Sequence, residues 1–259
     1  MEISADYLFH FTNDIKHIEN IMINGFKPFY CMEKLSYISV NGEYLEFAFP
    51  LVSFCDLPIS LQKQHRKRFG GYGIGLNKSW GNTNHLTPIV YTSEKAFTSG
   101  ILNNFIDLYE KFYSYIKIQN KNKKKLQGNS NNMLQGFNNN ISYLMMCFKP
   151  YEGHRYLKEE KRFDENKSRF YDEREWRYLP IKVNGLKLSL SKDQYEDSKT
   201  LYEENLMIQK NNHLKFSLDD LDSIYLKEES EKSFLLKKLS RKYNSSELSI
   251  IENKINIDN

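Results

Sequence analysis

Cysteine is scarce in this chain, and the few cysteines are not spaced for cross-linking or metal binding. Cys31, Cys55 and Cys147 are three in number and lie far apart in the sequence. Disulfide-stabilised folds usually carry an even set of cysteines, and structural zinc sites usually contain closely spaced cysteine pairs. The sequence therefore predicts neither a disulfide framework nor a metal cofactor.

Long apolar runs are also missing. A membrane-spanning helix needs roughly 18 or more consecutive apolar residues, and no segment approaches this length. The first residues include acids and do not resemble a signal peptide. We therefore expect a soluble, cytoplasmic protein without a membrane partner.

Aromatic side chains, by contrast, are abundant, with 17 phenylalanines and 18 tyrosines in 259 residues. Hydrophobic residues make up 40% of the chain, which is enough for a sizeable core in one domain. Short apolar runs such as "YLFHF" and "LTPIVY" alternate with helical patterns such as residues 96–118. This order predicts an α+β fold for a single domain that spans residues 1–259.

Two segments differ in sequence pattern from the short apolar runs. Residues 119–140 are polar and of low complexity, and the run "NKNKKK" repels itself, which predicts an exposed, flexible insertion. Residues 227–243 carry apolar residues at helical spacing and predict an amphipathic C-terminal helix. The net charge of +4 does not by itself indicate a nucleic-acid-binding protein.

Polar side chains inside apolar strands are the first candidates for a chemical role. His10 lies between two phenylalanines in "YLFHF", as either a core histidine bonded to backbone or a residue that lines a ligand pocket. Ser53 and Cys55 share one face of the strand that ends in "SFCDLP". Because no sequence signature pairs Cys55 with a histidine, we interpret it as a buried, inert thiol.

The stretch "DEREW" contains two glutamates that are two residues apart. On a strand, Glu173 and Glu175 would point to the same face. They are either a surface pair neutralised by Arg174 and Arg177 or two carboxylates aimed at a substrate.

The glycine-rich "GGYGIG" and the basic "HRKRF" raise the question of phosphate binding. The glycines match neither a P-loop nor a strand–GxGxxG–helix unit, so we interpret them as permitting a tight backbone path. The basic run is more typical of a solvated helix face than of a phosphate site.

Several of these segments together resemble the AbiGi family, which is linked to abortive phage resistance and described as an antitoxin family. The segments are "LFHFT", "FCDLP", "GGYGIGLNKSWG", "TPIVY" and "DEREWR". The resemblance runs from about Tyr7 to Tyr243, apart from the 119–140 insertion. It implies a role in phage defence and a toxin or antitoxin protein as partner.

The opening "LFHFTNDIKHIENIMINGFKP", the segment "FPLVSFCDLP" and the late glutamate of "EREW" also resemble ADP-ribosyltransferases of the DarT kind. The "ERE" triplet is similar to the E-x-E arrangement of the arginine-directed transferases, whose second glutamate is catalytic. This resemblance implies a split, mostly antiparallel sheet with flanking helices and the polar insertion, and NAD as substrate. Glu175 would be the catalytic carboxylate, and Glu173 would assist it. The residues implied to bind NAD are His10, Thr12, Ser53, Phe54 and Tyr72.

Three functional hypotheses therefore remain open. The chain is an NAD-dependent ADP-ribosyltransferase or NAD glycohydrolase, with a protein, a nucleic acid or water accepting the ADP-ribose. Alternatively, it is a non-catalytic antitoxin that binds and neutralises a toxin partner. A third, weaker hypothesis is a nucleic-acid-binding regulator that uses "HRKRF" and the lysine-rich insertion.

Overall fold

The structure is a computed structural model that describes residues 4–122, 129–180, 187–210 and 212–257. For residues 119–122 and 129–134 it describes the backbone alone. Its strands are β1 (Tyr7–Thr12), β2 (Phe29–Val40), β3 (Glu43–Cys55), β4 (Tyr72–Asn77), β5 (Thr87–Pro88), β6 (Val90–Thr92), β7 (Phe148–Pro150), β8 (Glu152–Leu157), β9 (Arg162–Arg169), β10 (Glu175–Tyr178), β11 (Leu190–Ser191), β12 (Leu221–Leu226) and β13 (Ile255–Ile257).

The helices within the described residues are α1 (Ile15–Asn24), α2 (Gln62–Phe69), α3 (Lys78–Thr83), α4 (Phe97–Asn122), α5 (Asn129–Met146), α6 (Lys192–Glu196), α7 (Ser198–Gln209), α8 (Ser230–Leu239) and α9 (Ser245–Asn253). Two short 3₁₀ helices cover Ile59–Leu61 and Phe170–Glu173.

One large sheet organises the described part of the chain. Its strand order is β13-β12-β4-β1-β3-β10-β5, and β2 and β11 pair with β3 outside this path. All of these pairs are antiparallel except β12–β13. Two smaller sheets join β6 to β7 in parallel and β8 to β9 in antiparallel. The predicted α+β class with a mostly antiparallel sheet is therefore confirmed.

The central strand β1 buries side chains on both of its faces. Leu8 belongs to a core cluster with Ile18 and Met22 of α1. Phe9 and Phe11 point the other way and belong to a second cluster. Since side chains alternate across a strand, the apolar "YLF" and "FHF" runs give β1 two buried faces, as expected at the centre of a sheet.

The 119–140 segment differs in part from the predicted irregular insertion. Its residues 119–122 end α4 and its residues 129–140 begin α5, while residues 123–128 lie outside the described residues. The apolar run "ISYLMM", which resembles a strand in sequence, is also part of α5. It is helical because Ile141, Met145 and Met146 share one helix face, which packs on Leu102 and Ile106 of α4. The flexibility of the segment stays a prediction.

The helix predicted over 227–243 is shorter in the structure, and a second helix follows it. The structure contains α8 at Ser230–Leu239 and then α9 at Ser245–Asn253. Asn244 starts α9 with a capping box, because its side chain accepts from Glu247 N–H and the Glu247 carboxylate accepts from Asn244 N–H. No helix among the described residues is both long and apolar enough to cross a membrane.

Candidate functional site

Three neighbouring strands bring three of the predicted site residues to one cavity. In sequence order, β1 carries His10, β3 carries Ser53 and β10 carries Glu175, and β3 pairs with both other strands. The cavity has a volume of about 160 Å³, and all three side chains line it, as do Phe54 and Glu173. We call it the first cavity.

His10 is held by its backbone contact and by aromatic rings. Its Nδ1–H donates a hydrogen bond of 2.9 Å to the carbonyl of Ser53. The imidazole packs against Phe26 and Phe54, with centroid distances of 5.3 and 5.7 Å. Burial lowers the pKa of His10. Because a neutral imidazole with Nδ1 protonated has its lone pair on Nε2, His10 can accept a hydrogen bond from a ligand.

Glu175 is buried, and polar partners engage both of its oxygens. The Ser53 hydroxyl donates to Oε1 at 2.5 Å, and Lys149 Nζ donates to Oε2 at 2.8 Å. Arg177 adds bonds of 2.7 Å from Nε and 3.1 Å from Nη2. Burial alone would raise the pKa of Glu175, but Arg177 and Lys149 hold it well below its usual range. The carboxylate is therefore ionised throughout the physiological pH range.

Arg177 is the most deeply buried charged side chain of the site, with no exposed surface. Besides Glu175, its guanidinium binds both carboxylate oxygens of Glu33 on β2. It also donates a bond of 2.8 Å to the carbonyl of Met146, at the end of α5. One arginine thus joins β10, β2 and α5, so the site is rigidly connected to the core.

The two glutamates of "DEREW" do not lie on one strand. Glu173 ends the 3₁₀ helix, Arg174 has a left-handed backbone with φ of 44°, and Glu175 begins β10. Their carboxylates nevertheless converge, because Lys149 Nζ lies 2.9 Å from Glu173 and 2.8 Å from Glu175. Arg155 of β8 forms a second ion pair with Glu173. Glu173 is therefore buried next to cations rather than exposed at a sheet edge.

Thr12 and Tyr72 do not join the other predicted residues. They are paired with each other at one end of the β1–β4 ladder. Thr12 is hydrogen-bonded to His17, and the Tyr72 hydroxyl donates to Glu231 at 2.5 Å. Neither residue lines the first cavity.

Among the other residues of the first cavity, Lys149 and Arg155 carry no motif in the sequence, whereas His65 and Phe69 begin and end "HRKRF". Lys149, Arg155, His65 and Phe69 line it and give it two cations and two further rings. Burial lowers the pKa of His65 to about 4. The thiol of Cys55 is also part of the lining, and burial raises its pKa far above neutrality, so it is protonated and unreactive.

The first cavity therefore combines an ionised carboxylate, a neutral imidazole, two cations and aromatic rings. These groups suit a ligand that has hydroxyl groups, an aromatic ring and negative charge. Among the described residues, no cluster of His, Cys, Asp and Glu side chains is arranged to hold a metal ion.

The fold and this site define a mixed α+β protein with a charged, partly aromatic cavity beside the central strands of its sheet. The profile of a family described as "Putative abortive phage resistance protein AbiGi, antitoxin" matches residues 24–227. The chain belongs to this family. The matched range contains Ser53, Lys149, Glu173 and Glu175, whereas His10 precedes it.

A curated relative gives the same family. The "Abortive phage resistance protein AbiGi" of Lactococcus lactis subsp. cremoris is 26% identical over 232 residues, which cover 84% of this chain and 88% of the relative. No solved structure matches the chain.

Proposed function

We propose that this abortive phage resistance protein is an NAD-dependent ADP-ribosyltransferase or NAD glycohydrolase that binds the nicotinamide end of NAD in the first cavity. The observation that carries the proposal is that His10, Ser53 and Glu175, from three neighbouring strands, line this one cavity. The resemblance to DarT-type enzymes implies a strand-borne histidine and a late glutamate as the NAD-contacting pair.

Each group has a role that follows from its contacts. Nε2 of His10 accepts a hydrogen bond from a ribose hydroxyl, because Nδ1–H is already bonded to Ser53. The rings around the cavity, such as Phe54 and Phe69, provide the apolar surface for nicotinamide. Lys149 and Arg155 supply positive charge for the pyrophosphate.

Glu175 acts on the charge that develops during the reaction. The bond between the ribose C1′ and nicotinamide breaks, nicotinamide leaves with the bonding electron pair, and the ribose becomes oxocarbenium-like. An ionised carboxylate bonded to the 2′-hydroxyl stabilises that positive charge. Lys149 contacts Glu173 as well as Glu175. When Glu175 exchanges its contact with Lys149 for one with the ribose, Lys149 therefore keeps Glu173 as a counter-charge.

The experiment that tests this proposal measures release of nicotinamide from NAD by the purified chain, with and without extract of phage-infected cells. Glu175→Gln keeps the shape of the side chain and removes its charge, so turnover falls by ~10²–10³. Glu173→Gln costs less, because Glu173 only assists. Glu165→Gln is the matched control, since that side chain is 90% exposed, and its turnover is unchanged.

Two results would overturn the enzymatic proposal. One is the absence of NAD cleavage by the wild-type chain under both conditions. The other is wild-type turnover by folded Glu175→Gln. Phage protection is measured for the same variants, so that loss of NAD cleavage can be compared with loss of defence.

A second candidate function is a non-catalytic antitoxin that binds a toxin partner. Two observations favour it: the family is described as an antitoxin family, and α4 exposes large apolar side chains. Phe97, Ile101 and Leu108 are 84%, 52% and 64% exposed, and contiguous exposed apolar surface marks protein interaction sites. An antitoxin of this kind rescues cells from its toxin even with Glu175→Gln, and loses rescue with Ile101→Ser and Leu108→Ser.

A further inference from the structure

A second cavity, with a volume of about 230 Å³, adjoins the first. The two share five lining residues, namely Ser53, Phe69, Lys149, Arg155 and Glu175. Glu175 and Lys149 therefore stand between two compartments of one cleft. A group bound in the second cavity lies next to the same carboxylate that faces the first.

The two compartments differ in chemistry. The first is rich in phenylalanine rings, whereas Glu33, Lys34, His154 and Tyr156 bring polar groups to the second. These residues come from β2 and from the β8–β9 hairpin, which contribute nothing but Arg155 to the first cavity. The second compartment also has apolar walls, but its polar groups can hold a hydroxyl group or a water molecule.

His154 is the side chain in the second cavity whose hydrogen bonding leaves a basic nitrogen free. Its Nδ1 lies 2.7 Å from the carbonyl of Asp164 on the facing strand β9. A carbonyl only accepts hydrogen bonds, so Nδ1 must carry the proton and donate. In the neutral ring the lone pair is then on Nε2. A backbone bond of this kind fixes the tautomer and orients a histidine that exchanges protons.

The other ionisable groups next to Glu175 are poorly suited to accept a proton. Lys149 and Arg155 are cations, and Glu33 is bound by Arg177. Burial opposes ionisation of Glu175, but Arg177 and Lys149 lower its pKa so far that it is a weak base. An imidazole is the side chain that takes up and releases protons near neutral pH.

We propose that the second cavity is the acceptor subsite of the NAD-cleaving reaction, and that His154 is its general base. This inference rests on the proposed function. The acceptor, a hydroxyl group or water, occupies the second cavity while the nicotinamide riboside part of NAD occupies the first. The acceptor oxygen forms its bond to C1′ as the bond from C1′ to nicotinamide breaks. The acceptor proton passes to Nε2 of His154 and then to solvent, so one proton is released per neutral nicotinamide.

The test uses hydrolysis of NAD by the full chain, with water as the acceptor. His154→Asn is the variant of choice, because the asparagine amide can still donate to the Asp164 carbonyl while Nε2 is lost. The expected result is a fall in kcat of ~10²–10⁴, the range for loss of a general base, with KM changed less than about threefold. His213→Asn is the matched control, because His213 also bonds a backbone carbonyl through Nδ1 but lines a different cavity.

A second measurement separates a base from a residue that only supports the fold. Imidazole added to His154→Ala restores turnover in a concentration-dependent way, because a free imidazole can occupy the vacated space and accept the proton. Imidazole has no effect on His213→Ala. Melting temperatures of both alanine variants are measured in parallel.

Each other outcome overturns a specific step. If His154→Asn turns over like the wild type while Glu175→Gln is impaired, His154 is not the base and the proposed function stands. If imidazole fails to rescue folded His154→Ala, or if KM of His154→Asn rises without a fall in kcat, His154 only binds the substrate or supports the fold. If the wild-type chain does not cleave NAD, the proposed function fails and the acceptor subsite with it.

Discussion

The hydroxyl of Ser53 donates a 2.5 Å hydrogen bond to Oε1 of Glu175, diagonally across the β3–β10 pair. The register explains this contact, since Ser53 lies opposite Arg177 and Glu175 lies opposite Cys55. Side chains two residues apart, and those directly opposite, share one face of a sheet. Ser53, Glu175 and Arg177 are thus fixed together by the backbone of two paired strands, which preorganises the carboxylate.

Glu175→Gln is expected to lower stability as well as turnover. The sequence alone predicts that a carboxylate in a cleft contributes nothing to core packing, so that its loss would leave the fold intact. In the structure Glu175 is 5% exposed and pairs with the fully buried Arg177. The change leaves the buried Arg177 with Glu33 as its remaining carboxylate partner and takes one carboxylate from Lys149, so the free energy of unfolding falls by about 3 kcal/mol. Urea unfolding measures this change, and the NAD assay is then run below the variant's melting temperature.

Glu165→Gln is again the control for that measurement, because its side chain is 90% exposed. Its unfolding free energy stays within about 0.5 kcal/mol of the wild type. Equal stability of Glu175→Gln and Glu165→Gln would contradict the buried pair's contribution.

Arg177→Met tests the same network from its cationic side. The change leaves Glu175 and Glu33 without their shared partner and the Met146 carbonyl without its donor. We expect a loss of about 3–5 kcal/mol in the free energy of unfolding. Arg162→Met removes an arginine from an exposed ion pair and should cost less than about 1 kcal/mol. A similar small loss for both variants would show that Arg177 is not required for stability.

Sequence reasoning could find the candidate residues that lie in short apolar strands. His10 and Ser53 each interrupt a run of aromatic or aliphatic residues, and Glu175 stands two residues after Glu173 in "DEREW", so each has a local and visible signal. Lys149 and Arg155 carry no such signal. They reach the cavity because β7 and β8, which belong to the two smaller sheets, follow the helices α4 and α5 and pack beside β2. This packing is a long-range event.

Two further differences between the sequence-based predictions and the structure have the same long-range origin. The β1–β4 register places Thr12 opposite Tyr72, beyond the end of the cavity, although Thr12 is only two residues from His10. The "ISYLMM" run lacks a clear period, so its helical state was decided by packing of α5 against α4. Periodicity alone cannot distinguish a short buried helix from a strand.

His65 is expected to make the protein lose stability in mild acid. Burial lowers its pKa to about 4, while Glu173 opposes this shift and Arg155, Arg68 and Lys149 add to it. The unfolded chain, with a histidine pKa of about 6.5, then binds a proton more readily than the folded chain. The stabilising contribution is therefore present above about pH 6.5 and is lost as the pH falls towards 4.

His65→Phe tests this linkage, since phenylalanine keeps the ring contacts that His65 makes with Phe11 and Phe69. Urea unfolding at pH 7, 5.5 and 4.5 should show a smaller loss of stability for the variant than for the wild type. His85→Asn serves as the control, because His85 is exposed and asparagine tolerates its left-handed backbone. Identical pH dependence in His65→Phe and the wild type would contradict the prediction.

Gly75→Ala is expected to destabilise the fold, because Gly75 leaves room for the side chains of Phe9 on β1 and Ser223 on β12. A Cβ at this position of β4 would lie 2.6 Å from Ser223 Oγ and 2.7 Å from Phe9 Cε1, and both residues are buried. Overpacking of this kind costs about 1–3 kcal/mol. Gly100→Ala in α4 is the matched control, since a Cβ there meets nothing within 4 Å. Alanine is the better helix former by about 0.8–1 kcal/mol, so thermal and urea unfolding should give changes of opposite sign. The same sign for both variants would mean that Phe9 and Ser223 can move away from an added methyl group.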